Sequence, residues 1–223
     1  MKLYLVRHGH PNYEKDCLTE LGHLHAAAAA KRLADSGIEK IYSSSCGRAV
    51  ETARHTADVL GIENIELLEF MREVRWGSKN GEPIFEHGRP WSISDKMAED
   101  NEDYFASDWR ENKYYSNNIL MDTYDYMFSE ADKFLAELGV VREGLYYRVR
   151  DCKYKTVALF SHAGSSSVFL AHLFNLPYPF VTSAICPDYT AITVVSFDEE
   201  AKGLVAPKFD ITNDSRHIEG ISL

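Results

Sequence analysis

The residues with the clearest chemical potential follow the first apolar segment of the chain. A short β-prone run at residues 3–6 ends directly in Arg7, His8 and Gly9. If this run is a strand of a parallel sheet, its carboxyl end lies where open α/β sheets bind their ligands. There an imidazole can act as a nucleophile, and a guanidinium can donate two hydrogen bonds to a phosphate or a carboxylate. Taken alone, the triplet fits equally a turn that carries two solvated polar residues.

Two later segments repeat this arrangement of an apolar run that ends in polar residues. Residues 38–43 lead into a serine-rich loop that reaches Arg48, and residues 156–160 lead into Ser161 and His162. In a parallel sheet the carboxyl ends of the strands share one edge, so two arginines and two histidines converge there. Two guanidiniums and an imidazolium form a pocket for a dianionic phosphoryl group. The remaining neutral imidazole can then attack phosphorus.

A reaction of this kind also needs a carboxyl group. An alkoxide is a strong base and leaves slowly at neutral pH. A general acid is therefore required to protonate the ester oxygen as it departs. Glu73 follows another predicted strand at residues 65–68 and is the first candidate for this acid. Glu69, closer to the end of that strand, is the second candidate.

The elements that position these residues alternate between strands and helices. Thr19 predicts the N-cap of a helix that runs to about Asp35 and closes at Gly37. We expect strands at residues 3–6, 38–43, 65–68, 156–160 and 191–197, helices that include residues 49–60, 127–138 and 168–173, and a further short helix at residues 143–150. This alternation predicts an α/β fold in a single domain, residues 1–223. We expect a mostly parallel central sheet with a layer of helices on each face, which makes three α/β/α layers.

Composition and charge narrow the class of protein. The 223-residue chain is 45% hydrophobic and 26% charged, which is typical of a globular domain. It has no apolar run near the ~18 residues of a membrane helix and no signal sequence, so we expect a cytoplasmic protein. The net charge of −10 disfavours nucleic acid and anionic membranes as partners. The four cysteines form no C-x-x-C pair, which favours reduced thiols without a catalytic role.

Six segments, in order along the chain, carry a resemblance to a known family. They are Leu5-Val-Arg-His-Gly9, Leu18-Thr-Glu-Leu-Gly22, Ser44 to Ala53, Met71 to Gly77, Phe160-Ser-His-Ala-Gly164 and Asn213-Asp-Ser-Arg-His217. Together they resemble the histidine phosphatase superfamily, on its phosphoglycerate-mutase-like branch. The resemblance implies these roles: phosphate clamps at Arg7 and Arg48, the nucleophile at His8, the proton donor at Glu73, a phosphate-stabilising imidazole at His162, and a phosphate-contacting amide at Asn12.

The same resemblance implies a small phosphorylated substrate, inorganic phosphate as a product, and neither a metal nor a cofactor. The segment from Glu73 lacks the Glu-Arg-His-Tyr-Gly run of glycolytic mutases, which favours a phosphatase with a phosphohistidine intermediate. His162 is followed by Ala-Gly and not by the aspartate of the acid-phosphatase branch, so the proton donor is again Glu73. A mutase-type phosphotransferase and a non-catalytic phosphate sensor remain alternatives. A cysteine-dependent phosphatase is excluded, since no cysteine has an arginine six residues later.

Residues 78–122 form a stretch in which helical and strand periodicity are both lost. So long an irregular segment is uncommon in a compact domain unless it is functional or contains helices that the sequence pattern does not reveal. We expect an insertion that folds over the carboxyl edge of the sheet as a substrate-selecting lid. Its charge is −5 between Gly77 and Asp122, with five basic and ten acidic residues. Its aromatic residues are candidate cavity walls: Trp91, Tyr104, Phe105, Trp109, Tyr114 and Tyr115. The alternative is that they pack the insertion onto the domain or form a homodimer contact.

Overall fold

The computed structural model describes residues 1–222, which contain ten strands and six α-helices. The strands are β1 (Lys2–Arg7), β2 (Pro11–Asn12), β3 (Cys17–Leu18), β4 (Lys40–Ser44), β5 (Ile65–Leu68), β6 (Val140–Glu143), β7 (Tyr146–Val149), β8 (Thr156–Ser161), β9 (Ile192–Ser196) and β10 (Lys208–Asp214). The helices are α1 (Glu20–Leu33), α2 (Gly47–Leu60), α3 (Pro90–Glu99), α4 (Leu120–Glu137), α5 (Ala163–Phe174) and α6 (Tyr178–Ala184). None of the helices in residues 1–222 is long and apolar enough to cross a membrane.

Six strands form the central sheet in the order β10-β9-β1-β8-β4-β5. The neighbours β1, β8, β4 and β5 are parallel, whereas β9 is antiparallel to both β1 and β10. The prediction of a mostly parallel sheet is therefore confirmed. As a result the carboxyl ends of β1, β4, β5 and β8 lie at the same edge, and each strand delivers its following loop there.

Two apolar clusters, one on each face of the sheet, form the core. One cluster joins Val6 of β1 to Leu33 of α1 and Ala53 of α2. The other joins Leu5 of β1 to α4 and to Phe169 of α5. Because consecutive residues of a strand point to opposite faces, Leu5 and Val6 bury themselves in different clusters. This packing confirms the three-layer α/β/α arrangement.

Helix α1 begins where the sequence predicted and ends slightly earlier. The Thr19 hydroxyl accepts a hydrogen bond from the Gly22 N–H at 3.1 Å, which caps the first turn. The helix ends at Leu33, with Ala34 as its C-cap, before the predicted end at Asp35. Gly37 has the left-handed φ of 71° expected of a closing glycine, but it lies in the turn that follows the helix.

The short helix predicted at residues 143–150 is wrong, because this segment forms a β-hairpin. Strand β6 pairs with β7 in an antiparallel register around Gly144, which has a left-handed φ of 64°. Within β7 the burial alternates, since Tyr147 is fully buried and Tyr146 is about half exposed. A period of two residues is the pattern of a strand with one buried face, and the glycine supplies the turn.

The segment at residues 78–122 is an insertion whose two ends lie side by side. The Ile119 N–H donates to the Gly77 carbonyl at 2.9 Å, and Ser78 forms a β-bridge with Asn118. Of the irregular and helical alternatives, the helical one is found, because the segment contains the whole of α3, which Pro90 opens at its first position. It also contains the first residues of α4, which starts seven residues before the predicted Met127.

Candidate active site

A cavity of about 500 Å³ lies at the carboxyl edge of the sheet. Its lining includes three of the predicted site residues, namely Arg7 at the end of β1, Arg48 at the start of α2, and Glu73 after β5. His8 and His162 are buried beside this lining, and their rings are 5.1 Å apart. The structure therefore brings together five of the six predicted site residues.

The ring of His8 is held in one tautomer. Its Nδ1 lies 2.7 Å from the Gly9 carbonyl, which can only accept, so Nδ1 carries the proton. Nε2 then has a free electron pair, and the Arg48 Nε–H donates to it at 3.3 Å. Burial, aided by the charges of Arg7 and Arg48, lowers the pKa of His8 to about 3. The imidazole is therefore neutral and has the lone pair that a nucleophile needs.

The turn that carries His8 is fixed by close backbone contacts. The His8 N–H donates to the Ser161 carbonyl of β8 at 2.9 Å, and the Gly9 N–H donates to the Thr52 hydroxyl at 3.0 Å. A Cβ atom at Gly9 would lie 2.6 Å from the carbonyl oxygen of Gly22, so only glycine fits between His8 and α1. The Arg-His-Gly order thus reflects a packing requirement as well as a chemical one.

Arg48 is buried and is held by an acidic residue that the sequence analysis missed. Asp16 forms an ion pair with the Arg48 guanidinium, and its other oxygen accepts from the Gly47 N–H at 2.8 Å. It thereby caps α2 from a distant loop, since Cys46 at the N-cap position makes no side-chain bond. The sequence signal for the role of Asp16 is the cysteine at the N-cap position. Cysteine is a poor cap, so the first N–H groups of α2 need an acceptor from another part of the chain.

Arg7 is oriented by the segment before β9. Its Nη1 donates to the Pro187 carbonyl at 2.7 Å, and its guanidinium lies 4.3 Å from the ring centre of Tyr189. The ring face of Tyr189 favours the cation and restricts its position. Within residues 1–222 the buried Nε of Arg7 has no hydrogen-bond partner.

His162 follows β8 and faces the same cluster. Its Nε2 lies 2.8 Å from the Ser44 hydroxyl at the end of β4, and its buried Nδ1 has no partner within the described chain. Burial, followed by the neighbouring His8 and Arg48, lowers the pKa of His162 well below its usual value. The ring is therefore neutral in this arrangement, in contrast to the imidazolium expected from the sequence.

Glu73 is held at the cavity by the first turn of α5. Its Oε1 accepts from the N–H groups of Val74 and Ser165 at 3.0 and 3.1 Å. A Cβ at Gly164 would come within 2.6 Å of the same oxygen, so glycine makes room for the carboxyl group. Burial outweighs these bonds and raises the pKa of Glu73, which favours the protonated acid. The second candidate acid, Glu69, is exposed and pairs with Arg72.

Asn12 is the predicted site residue that the structure does not bring to the cavity. Its side-chain oxygen accepts from the Lys15 N–H at 3.1 Å, and the neighbouring Tyr13 lines the cavity in its place. The structure also adds wall residues that the chemical argument missed, including Trp76 and Arg89. In residues 1–222 no group of three or more His, Cys, Asp or Glu side chains is arranged to hold a metal ion.

The neutral state of His8 predicts a particular dependence of stability on pH. Unfolded His8 has the ordinary pKa of about 6.5, so between that pH and about 3 the unfolded chain binds the extra proton. Wild-type stability should therefore be lost as the pH falls through this window. Relative to His8→Asn, we expect a loss of roughly 1–2 kcal/mol between pH 6.5 and 5.0, measured by urea unfolding.

A second variant, His8→Gln, supplies the control for this measurement, because it removes the same titratable ring with a different side chain. Its difference from the wild type should change with pH in the same way. A difference that stays constant with pH for both variants would show that His8 is not buried in its neutral form.

Comparison with known proteins agrees with this architecture. The family model for the histidine phosphatase superfamily (branch 1) matches residues 3–209. A 2,3-bisphosphoglycerate-dependent phosphoglycerate mutase from Bartonella tribocorum is 33% identical over 92 residues, which cover 35% of this chain and 45% of that protein. The chain thus matches less than half the length of this curated relative.

Solved structures with the same fold match the chain over nearly its full length. Phosphoserine phosphatase from Entamoeba histolytica, in complex with 3-phosphoglyceric acid, has a TM-score of 0.64 at 19% identity and covers 97% of this chain and 98% of its own. A mycobacterial glucosyl-3-phosphoglycerate phosphatase has a TM-score of 0.60 at 20% identity, with coverages of 95% and 98%. The alpha-ribazole phosphatase from Shigella flexneri has a TM-score of 0.59 at 17% identity, with coverages of 96% and 97%. With the family model matching nearly the whole chain, this protein belongs to the histidine phosphatase superfamily.

Proposed function

We propose that this protein is a histidine-dependent phosphatase that hydrolyses small phosphomonoesters through a phosphohistidine intermediate. One observation carries the proposal. The neutral imidazole of His8, with its unprotonated Nε2, lies among guanidiniums at the same cavity as the carboxyl group of Glu73, whose pKa is raised. A nucleophile, an anion clamp and an acid are the three components that the reaction needs.

In the first step, Nε2 of His8 attacks phosphorus and the bond from phosphorus to the ester oxygen breaks. Protonated Glu73 gives its proton to the departing oxygen, so the product leaves as an alcohol. The hydrogen bond from Nδ1 to the Gly9 carbonyl stabilises the positive charge that develops on the ring. This bond has the orienting role that a carboxylate has in other histidine-dependent sites.

In the second step, a water molecule attacks the phosphohistidine and the phosphorus–nitrogen bond breaks. The Glu73 carboxylate, now deprotonated, accepts a proton from this water and returns to its acidic form. The electron pair of the broken bond returns to Nε2 of His8, and inorganic phosphate leaves. Both steps balance without an external reagent.

The two unpartnered nitrogens support a phosphate-binding role for the cluster. A buried N–H without a partner costs about 1–3 kcal/mol, and phosphate oxygens are suitable acceptors for Arg7 Nε and His162 Nδ1. A dianion beside His162 also favours its protonated form, which offsets the lowering of its pKa by burial. The Arg48 N–H that donates to His8 can turn to a phosphate oxygen and leave Nε2 free.

The compared proteins favour hydrolysis over phosphoryl transfer between substrates. Structural neighbours that cover 95–97% of the chain include proteins named as phosphatases, and some of their complexes contain phosphoserine, 3-phosphoglyceric acid or inorganic phosphate. The mutase relative matches only 35% of this chain. A mere phosphate sensor has no need of an acid positioned as Glu73 is. Cytoplasmic location and a homodimer stay predictions from the sequence.

We also propose that residues 78–122 act as a lid over this cavity. Arg89 and Trp91, at the start of α3, line the cavity and so bring the insertion to the site. Most other aromatic residues of the insertion pack it onto the domain. For example, Tyr115 is fully buried against Tyr178, and the Trp109 ring packs on Tyr115. The position of Trp91 thus supports the alternative that these aromatics form cavity walls of a lid. The contacts of Tyr115 and Trp109 support the alternative that they pack the insertion onto the domain.

Replacement of the nucleophile gives the first test of the reaction. His8→Ala should reduce kcat with an aryl phosphate on the order of a thousandfold or more, since the covalent step is lost. The wild type should form an acid-labile, base-stable phosphoenzyme that this variant lacks. His23→Ala, at an exposed position, should retain both activity and phosphoenzyme. Appreciable turnover by His8→Ala would reject the assignment.

The role of Glu73 predicts a dependence on the leaving group. Glu73→Gln should slow hydrolysis of an alkyl phosphate about 10²- to 10⁴-fold, because an alkoxide needs a proton to leave. Hydrolysis of 4-nitrophenyl phosphate should fall much less, since the phenolate leaves without one. Glu69→Gln, at the exposed alternative position, should change neither rate. Equal losses on both substrates would indicate that Glu73 has a structural role.

The lid proposal predicts different effects for two tryptophans of the insertion. Trp91→Ala removes a cavity wall and should change the ratio of kcat/KM for a bulky and a minimal phosphate ester about tenfold. Trp109→Ala removes a packing contact with Tyr115 and should lower stability while leaving this ratio unchanged. An unchanged ratio for Trp91→Ala would reject the lid.

A further inference from the structure

We infer that the substrate carries a carboxylate in addition to its phosphate, and that Arg89 of the lid binds this carboxylate. The inference rests on the proposed function, because it concerns the part of the substrate that the reaction leaves unchanged. It assigns a specificity-determining role to a residue that lies outside the predicted reaction centre and that the sequence analysis did not single out.

The charge of the cavity wall is the first observation. Three guanidiniums line the cavity, those of Arg7, Arg48 and Arg89, against a single carboxyl group at Glu73. Arg7 and Arg48 lie next to His8, where a phosphoryl group would bind, and Asp16 already pairs with Arg48. Arg89 is a third cation of the wall, and burial favours the uncharged form of Glu73. The wall therefore carries a cation in addition to the two guanidiniums beside His8.

The second observation is that Arg89 forms no ion pair within the described part of the chain, although acids are abundant. The protein has a net charge of −10, and the insertion around Arg89 has ten acidic and five basic residues. Seven of the twelve arginines pair with a carboxylate: Arg32, Arg48, Arg72, Arg110, Arg142, Arg148 and Arg216. Of those that do not, Arg7 and Arg89 are the two that line the cavity. We assign Arg7 to the phosphate group, so Arg89 is available to bind another anion.

The third observation is that an aromatic wall orients Arg89. Its guanidinium lies 5.6 Å from the ring centre of Trp91, and the Trp91 ring meets Trp76 edge to face at 5.7 Å. The Trp91 indole N–H also donates to the sulfur of Cys186, which fixes the ring. A guanidinium beside an indole keeps its N–H donors for a planar acceptor, and a carboxylate matches that fork. The indoles supply an apolar wall for the carbon skeleton between the two anions.

A carboxylate suits this site better than a second phosphate for reasons of charge. Arg89 is exposed and contributes one positive charge, which a carboxylate neutralises. A second phosphoryl dianion would add a charge that no further cavity residue balances, in a protein that is already strongly acidic. The lid side chains that line the cavity are Arg89 and Trp91, whereas the acidic residues of the lid are not part of this lining.

Two nearly isosteric substrates test this inference, namely 4-carboxyphenyl phosphate and 4-carbamoylphenyl phosphate. Replacing Arg89 by methionine should lower the kcat/KM ratio of the first to the second about five- to tenfold, the value of an exposed charge-assisted contact. Hydrolysis of the carbamoyl substrate should fall less than that of the carboxyl substrate and should stay measurable, which also shows that the variant is folded. The intrinsic reactivities of the two esters cancel, because each ratio is compared with that of the wild type.

Arg75→Met supplies the matched control. Arg75 is exposed and lies outside the cavity lining, so its variant should keep the wild-type ratio. Arg89→Lys retains the charge without the fork and should give an intermediate ratio. A ratio that Arg89→Met leaves unchanged, with both esters hydrolysed, would overturn this inference alone. Failure of the wild type to hydrolyse either ester would overturn the proposed function as well. A larger Arg89-dependent effect on benzene-1,4-diyl bisphosphate would assign the site to a second phosphate instead.

Discussion

The parallel pairing of β1 with β8 is the contact on which the candidate site depends. The register places Arg7 opposite Ser161 at the ends of the two strands. The residues that follow, His8 and His162, therefore enter the same buried space. Backbone hydrogen bonds of a ladder allow no intermediate register, and a slip by one residue would turn these side chains to opposite faces. The other components of the site come to these two rings from neighbouring elements, Arg48 from the start of α2 and Glu73 from the loop after β5.

Burial at this edge determines the protonation states that the proposed chemistry uses. Desolvation disfavours the charged form of any group, so it lowers the pKa of His8 and His162 and raises that of Glu73. The same effect thus gives a neutral nucleophile and a protonated acid in adjacent positions. Arginine resists this effect because its pKa is so high. The buried Arg48 has Asp16 as its ion-pair partner.

The charge of the whole protein and the charge of its cavity have opposite signs. The net charge of −10 repels anions at long range, whereas clustered guanidiniums attract a small anion at short range. The insertion takes part in both effects, since its many carboxylates are mainly at the surface and its Arg89 lines the cavity. Net charge alone therefore does not predict the substrate, and the position of each charged group must be known.

The sequence by itself determined the alternation of strands and helices and the chemistry at the strand ends, because both depend on residues that are neighbours along the chain. The pairs Arg7-His8 and Ser161-His162 each follow an apolar run, and a parallel sheet needs nothing more to bring them together. Only the tertiary structure decided which distant residues complete the site. Asp16 reaches Arg48 from a loop, and Arg89 reaches the cavity from an insertion whose helix α3 the sequence analysis did not predict. Such contacts depend on how loops pack in space, and no local pattern of residue types encodes that packing.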